Sequence, residues 1–284
     1  MYRSFFVIVF FISNKYYVFA YCIRRLNMEN VFANGLGAAT IAGLITGVGG
    51  FMIFLKKKYS QSDINFMLNI AAGVMLAAAF FSLLCPAMEQ VMGLYDCIHE
   101  AALWYVGALF VGVALVWVLN EVLPHEHNNM GHHGIGFSLK TAWLFIIAIT
   151  LHKIPEGLAV GVAYGAENIV SPRSLVLGIA LHNIPEGLTI AISLVAAKCS
   201  KMKAALSAAA IGLVQPLGAA LGLMTMGISP AIVPFGMAMA GGTLLFVIVN
   251  EILPETYGMK KTERAAFALF MGFIVMTYIT IVMD

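Results

Sequence analysis

The chain has 284 residues, 61% of them hydrophobic and 11% charged, with a formal net charge of +2. Soluble domains carry about 25% charged residues and roughly half apolar ones, so this composition excludes a soluble globular protein and leaves no stretch for a separate soluble domain. Nucleic acid is also excluded as a partner, because no basic cluster sits on a polar domain able to follow a phosphate backbone.

Residues 1–27 hold Arg3, Lys15, Arg24 and Arg25 and no acid. A span over 4–22 would set Arg24 and Arg25 on the outer side, against the positive-inside rule. The segment reads either as an unneeded extension ahead of Met28 or as a signal-like or extra hydrophobic helix, and it is assigned no function. Residues 28–284 then hold eight apolar stretches, near 32–55, 63–86, 99–120, 140–165, 174–197, 204–226, 231–256 and 264–283. Each is long enough to cross a hydrocarbon core of about 30 Å as a helix. The expected fold is an all-α integral membrane protein of eight transmembrane helices joined by short polar loops.

Loop charges set the orientation. Lys56, Lys57 and Lys58 follow the first span, Lys198, Lys201 and Lys203 the fifth, and Lys260, Lys261 and Arg264 the seventh, whereas Glu89, Asp96 and Glu100 follow the second. The lysine loops are then cytoplasmic, and both ends of the eight-helix body face outward, with the plasma membrane as the default location. Cys22, Cys85, Cys97 and Cys199 lack metal-type spacing and read as plain thiols.

The fourth span contains Leu151-His152-Lys153-Ile154-Pro155-Glu156-Gly157-Leu158, and the fifth repeats it as Leu181-His182-Asn183-Ile184-Pro185-Glu186-Gly187-Leu188. In each copy His and Glu lie four apart on one helical face, so an imidazole and a carboxylate reach the same point. Pro155 and Pro185 cannot donate to the carbonyls of Leu151 and Leu181, which predicts a bend beside the site. Gly157 and Gly187 allow close helix packing. A carboxylate at mid-bilayer costs about 2.5–3.5 kcal/mol on insertion scales, so two at matching depth call for a cation. His152, Glu156, His182 and Glu186 are therefore the candidate ligands. Two imidazoles and two carboxylates suit zinc, iron(II), manganese or cadmium, and the absence of a Cys or Met cluster argues against copper(I).

A weaker tier of polar residues lies at predicted cytoplasmic ends. Glu121, and Asn250 with Glu251, sit in Asn-Glu-x-Leu-Pro runs and could line an exit. The predicted cytoplasmic loop over 121–139 carries His125, His127, His132 and His133, a composition suited to weak metal binding without implied geometry.

The duplicated His-x-x-Pro-Glu-Gly motifs, the eight spans and the His-bearing third loop together resemble the ZIP family of metal transporters over about residues 30–284. The runs Gly212-Leu213-Val214-Gln215-Pro216-Leu217-Gly218 and Asn250-Glu251-Ile252-Leu253-Pro254-Glu255 are similar to its bacterial-type branch. The resemblance implies a ZIP-type bundle, a homodimer, and an inner unit holding spans four and five that moves by elevator or rocking. It also implies that Met75 faces the route inward. The four ligands above match the family's primary site, but the neighbouring second site departs from the pattern. Lys153 stands where many members have Asn, Gln215 where many have Glu, and Asn183 where Asp is common. Losing carboxylates and gaining an ammonium disfavours a second divalent ion, so a single metal is expected, with Lys153 paired to Glu156 or Glu186.

The reading that follows is a carrier, not an enzyme, with no catalytic cofactor. It moves zinc, or iron, manganese or cadmium, into the cytoplasm by alternating access. A metal-gated channel or sensor is the alternative. An intramembrane metallohydrolase fits less well, because the HExxH signature is absent and a symmetric four-ligand site leaves no open position for water.

Overall fold

In hydrocarbon every backbone amide must find its partner within the chain, which makes helices the economical answer for such apolar stretches. The computed structural model describes residues 30–56, 59–122, 125–127, 131–133, 141–166, 171–226, 232–252 and 262–283; the N-terminal segment 1–27 lies outside them. Among the described residues eight long helices account for nearly all the structure. They are α1 (Asn30–Phe54), α2 (Ser62–Leu94), α3 (Ile98–Val122), α4 (Thr141–Gly165), α5 (Arg173–Ala196), α6 in two pieces (Lys201–Gly212 and Gln215–Met226), α7 (Val233–Val247, continuing into Ile248–Ile252) and α8 (Thr262–Met283). Between α3 and α4 a two-stranded hairpin pairs β1 (His125–His127) with β2 (Gly131–His133), His125 opposite His133.

Local chemistry explains where helices start and where they deviate. Ser60 caps α2 by accepting from the Asp63 amide, and the Asp63 carboxylate accepts from the Ser60 amide in return. The predicted second span stops at Pro86, yet α2 runs on to Leu94. A π turn over Phe80–Leu84 shifts the Cys85 amide to the Phe80 carbonyl, and Pro86 then occupies the start of the next regular segment. Pro155 and Pro185 lie within α4 and α5 without ending either helix. The interruption lies in α6, at 213–214, where Pro216 cannot donate to Gly212 and the Val214 amide turns back to Ile211.

Backbone contacts sort the helices into two groups. A Cβ added at Gly43 on α1 would lie 2.2 Å from the Gly212 carbonyl of α6, at Gly187 on α5 it would lie 1.8 Å from the Thr46 carbonyl of α1, and at Gly157 on α4 it would lie 1.9 Å from the Gln215 carbonyl of α6. Helices α1, α4, α5 and α6 therefore meet backbone to backbone, as small residues permit in membranes. In the other group α2 meets α8 at Gly73, where a Cβ would come 1.9 Å from the Leu269 carbonyl, and α3 meets α7 at Gly112, where it would come 2.0 Å from the Met239 carbonyl. Between the groups, Gly178 of α5 faces side chains instead, Ala78 of α2 at 2.9 Å and Met276 of α8 at 3.3 Å. The apolar core fills this seam with Ala72, Met75, Val160, Leu175, Ile179 and Leu244. Met75, expected to face an inward route, is buried there.

The contacts at Gly187 leave no room for a methyl group, whereas Gly37 on α1 has nothing within 4 Å of its built Cβ. Gly187→Ala should lower the melting temperature in detergent, at about 1–3 kcal/mol of overpacking or more. Gly37→Ala should melt like the native protein or slightly higher, because alanine favours helix by about 1 kcal/mol over glycine. Equal melting of the two variants would refute the backbone contact.

Candidate metal centre

The duplicated motif places its polar residues on the inner faces of α4 and α5. Glu156, His182 and Glu186 are all buried, and each offers a ligand atom within 4.8 Å of the others. His182 Nε2 lies 3.7 Å from Glu156 Oε1 and 3.8 Å from Glu186 Oε2. His182 and Glu186 owe their common face to the four-residue spacing, and Glu156 is supplied by α4 across the helix pair. His152, one turn before Glu156, is also buried, but it does not join this three-ligand group. One imidazole and two carboxylates make a mixed nitrogen and oxygen donor set of the kind zinc accepts.

Lys153 is the residue around which the site closes. Its side chain is 0% exposed, and its ammonium donates to Glu156 Oε2 at 2.7 Å, to Asn183 Oδ1 at 2.6 Å and to Glu186 Oε2. Three donors thus meet three acceptors, and the ammonium touches both carboxylates. Asn183 passes the connection on, donating through Nδ2 to the Ala42 carbonyl at 2.7 Å and to Gln215 Oε1 at 3.0 Å. Lys153, Asn183 and Gln215, singled out in the sequence as departures at a second position, form one network that joins α1, α4, α5 and α6. It leaves Glu156 Oε1 and Gln215 Nε2 without hydrogen-bond partners. The Glu156 oxygen is one of the atoms beside His182 Nε2, a second sign that the cluster is built to accept a cation.

The weaker tier is dispersed. Glu121 is exposed at the end of α3 next to buried Asn120. Asn250 is half-buried in the turn that closes α7, with the Glu251 backbone beside it. His125, His127, His132 and His133 lie in the hairpin, where the pairing sets Glu126 opposite His132 and His127 opposite Gly131. Sequence reading passed over Ser82 and Ser174, whose hydroxyls meet at 2.8 Å, buried between α2 and α5. Their signal was present in the chain, since small hydroxyl residues within apolar spans commonly mark helix–helix hydrogen bonds. It also passed over the Ala42 carbonyl, a backbone group that no side-chain motif reports.

The family described as "ZIP Zinc transporter" matches residues 124–280. The chain is 37% identical over 241 residues to the zinc transporter GufA of Myxococcus xanthus, covering 84% of this chain and 95% of that one. It is 35% identical over 245 residues to the zinc transporter ZIPB of Bordetella bronchiseptica, covering 86% and 78%. It is 29% identical over 331 residues to the zinc transporter ZIP11 of Homo sapiens, covering 87% and 96%.

Asn183→Ala removes one acceptor from Lys153 and the donors to Ala42 and Gln215. Buried groups left unsatisfied cost about 1–3 kcal/mol each. Melting in detergent should fall by several degrees, at about 2–4 °C per kcal/mol for a protein of this size. No change in melting would mean that the network does not hold the four helices together.

Proposed function

The chain belongs to the ZIP family of zinc transporters, and on that premise we propose that it carries zinc into the cytoplasm, one ion per cycle, by alternating access at Glu156, His182 and Glu186. The observation that carries this reading is the buried cluster of one imidazole and two carboxylates inside helices of a multi-pass membrane protein. Ionisable groups at such depth are costly and face the bundle interior where they serve a transported ion. Zinc exchanges its water for these ligands, and mixed nitrogen and oxygen donors hold it without the permanence of a thiolate cage. His152 stands one helical turn before Glu156 on α4 and is the fourth ligand in this reading. A single ion is supported by Lys153, whose positive charge already lies against both carboxylates. Iron(II), manganese and cadmium share the donor preferences and are the expected competitors. The lysine-bearing loops orient the helices with those loops in the cytoplasm, and the inward direction and the plasma membrane are proposed by analogy with the family.

Alternating access requires one group of helices to move against another, and the packing supports a division. Helices α1, α4, α5 and α6 share backbone contacts and the Lys153 network, while Gly178 of α5 meets only side chains of α2 and α8. On the outer half of that seam the Ser82–Ser174 hydrogen bond ties α2 to α5. Ser174 lies eight residues before His182, or about 12 Å along the helix, so a path from outside must part these helices.

Zinc uptake into liposomes holding the purified protein should saturate. Glu156→Ala and Glu186→Ala should each reduce it at least ~10-fold, consistent with removing one anionic ligand from a buried site. Uptake that rises linearly with zinc and survives both substitutions would replace the carrier by a pore. Ser82→Cys with Ser174→Cys, with the four native cysteines replaced by alanine, should form a disulfide under mild oxidation that stops uptake until it is reduced. Undiminished uptake with the disulfide formed would rule out parting of α2 and α5.

A further inference from the structure

Zinc must reach carboxylates that are already in use. The Lys153 ammonium sits against Glu156 Oε2 and Glu186 Oε2 with no exposure to solvent, and its third bond goes to Asn183. Volume alone does not demand a cation on this helix face, since a neutral side chain of similar size would fill the same space. What demands it is the pair of buried carboxylates, whose mutual repulsion in a low-dielectric interior is severe when nothing lies between them. Between the two carboxylates the lysine supplies positive charge that a bound ion would otherwise have to supply.

We propose that Lys153 is a tethered competitor of the transported metal, an affinity-determining residue that fills the empty site and is displaced from at least one carboxylate when zinc binds. The inference rests on the proposed carrier site and adds its regulation. A cation covalently held beside its anions competes at high effective concentration, so it lowers apparent metal affinity without contributing a ligand. It also changes the charge that the helices carry. At formal charges the two carboxylates and the ammonium sum to −1 when empty and +1 with a divalent ion. With a neutral residue at 153 the same states would be −2 and 0. The cost of holding charge in a low-dielectric medium grows with its square, so the lysine evens out empty and loaded forms that would otherwise differ greatly. Tight binding alone would not serve a carrier, because affinity that does not also favour the moving step leaves turnover unimproved.

The test compares Lys153→Met with the native full-length protein. In uptake assays the zinc concentration for half-maximal rate should fall at least ~10-fold, and the maximal rate should fall as well, because the empty site is left at −2. In detergent without metal Lys153→Met should melt lower than native, and added zinc should restore it, giving a larger zinc-dependent shift than the native protein shows. Loss of a merely structural ion pair would lower melting without this rescue. Should Lys153→Met prove too unstable to purify without zinc, Lys153→Met with Glu186→Gln restores the formal charge of −1 and should melt near native with its zinc-dependent shift lost. Unchanged half-saturation, or a melting loss that zinc does not repair, would overturn the inference alone. Absence of any zinc response in the native protein as well as in Lys153→Met would remove the proposed carrier site and this inference with it.

Discussion

A lysine ammonium enclosed between two buried glutamates is the interaction on which the rest of this structure turns. Each partner alone would be costly at this depth. A buried ion pair broken on one side typically loses about 3–5 kcal/mol, because the remaining charge is left without water or counter-ion. Held together, the three charges fix the facing residues of α4 and α5, and the bond to Asn183 extends that constraint to α1 and α6. The polar centre thereby acts as a register pin for four helices whose surfaces are otherwise apolar and could slide.

Small residues supply what the polar network cannot. In a bilayer, helix association gains little from hiding apolar surface, since lipid tails are equally apolar, so close van der Waals approach must carry the packing. Gly43 against Gly212 and Gly187 against Thr46 bring backbones into contact on either side of the site. The Ala42 carbonyl is within reach of Asn183 because α1 approaches this closely. A bulkier α1 would break the hydrogen-bond network without touching any charged residue. Glycine packing and ion pairing are thus one construction, with steric closeness as the condition for the polar contact.

Much of this was legible in the sequence, for identifiable reasons. The eight helices announce themselves by length and apolarity, and the four-residue His-Glu spacing, occurring twice, points to the buried cluster that Glu156, His182 and Glu186 form. Lys153, Asn183 and Gln215 stood out as residue types unusual for their places, and they prove to be hydrogen-bonded to one another. What the sequence could not supply depends on three-dimensional closeness. The proline rules did not show which proline ends a helix: α4 and α5 continue past Pro155 and Pro185, whereas the break in α6 falls before Pro216. The span expected near 63–86 runs on to Leu94, with a π turn five residues long ahead of Pro86. His152, equal to His182 by motif, lies outside the three-ligand group. Identical local patterns do not guarantee equivalent positions, because α4 and α5 have different neighbours.

That inequality between the two motif copies has a physical consequence. The first copy carries lysine after its histidine and the second carries asparagine, so the repeat is symmetric in its His and Glu residues and asymmetric in its charge. With asparagine in both copies, the carboxylates would face each other unscreened in the metal-free state, and the site would favour any cation strongly enough to resist letting it go. With lysine in both, two ammonium groups would neutralise two carboxylates, and a divalent ion would enter against a fully satisfied network. One lysine leaves one formal negative charge, together with an unpartnered oxygen on Glu156 beside the His182 imidazole. In the proposed cycle this intermediate charge would attract a divalent ion and still leave a competing cation beside Glu156 and Glu186 for its release.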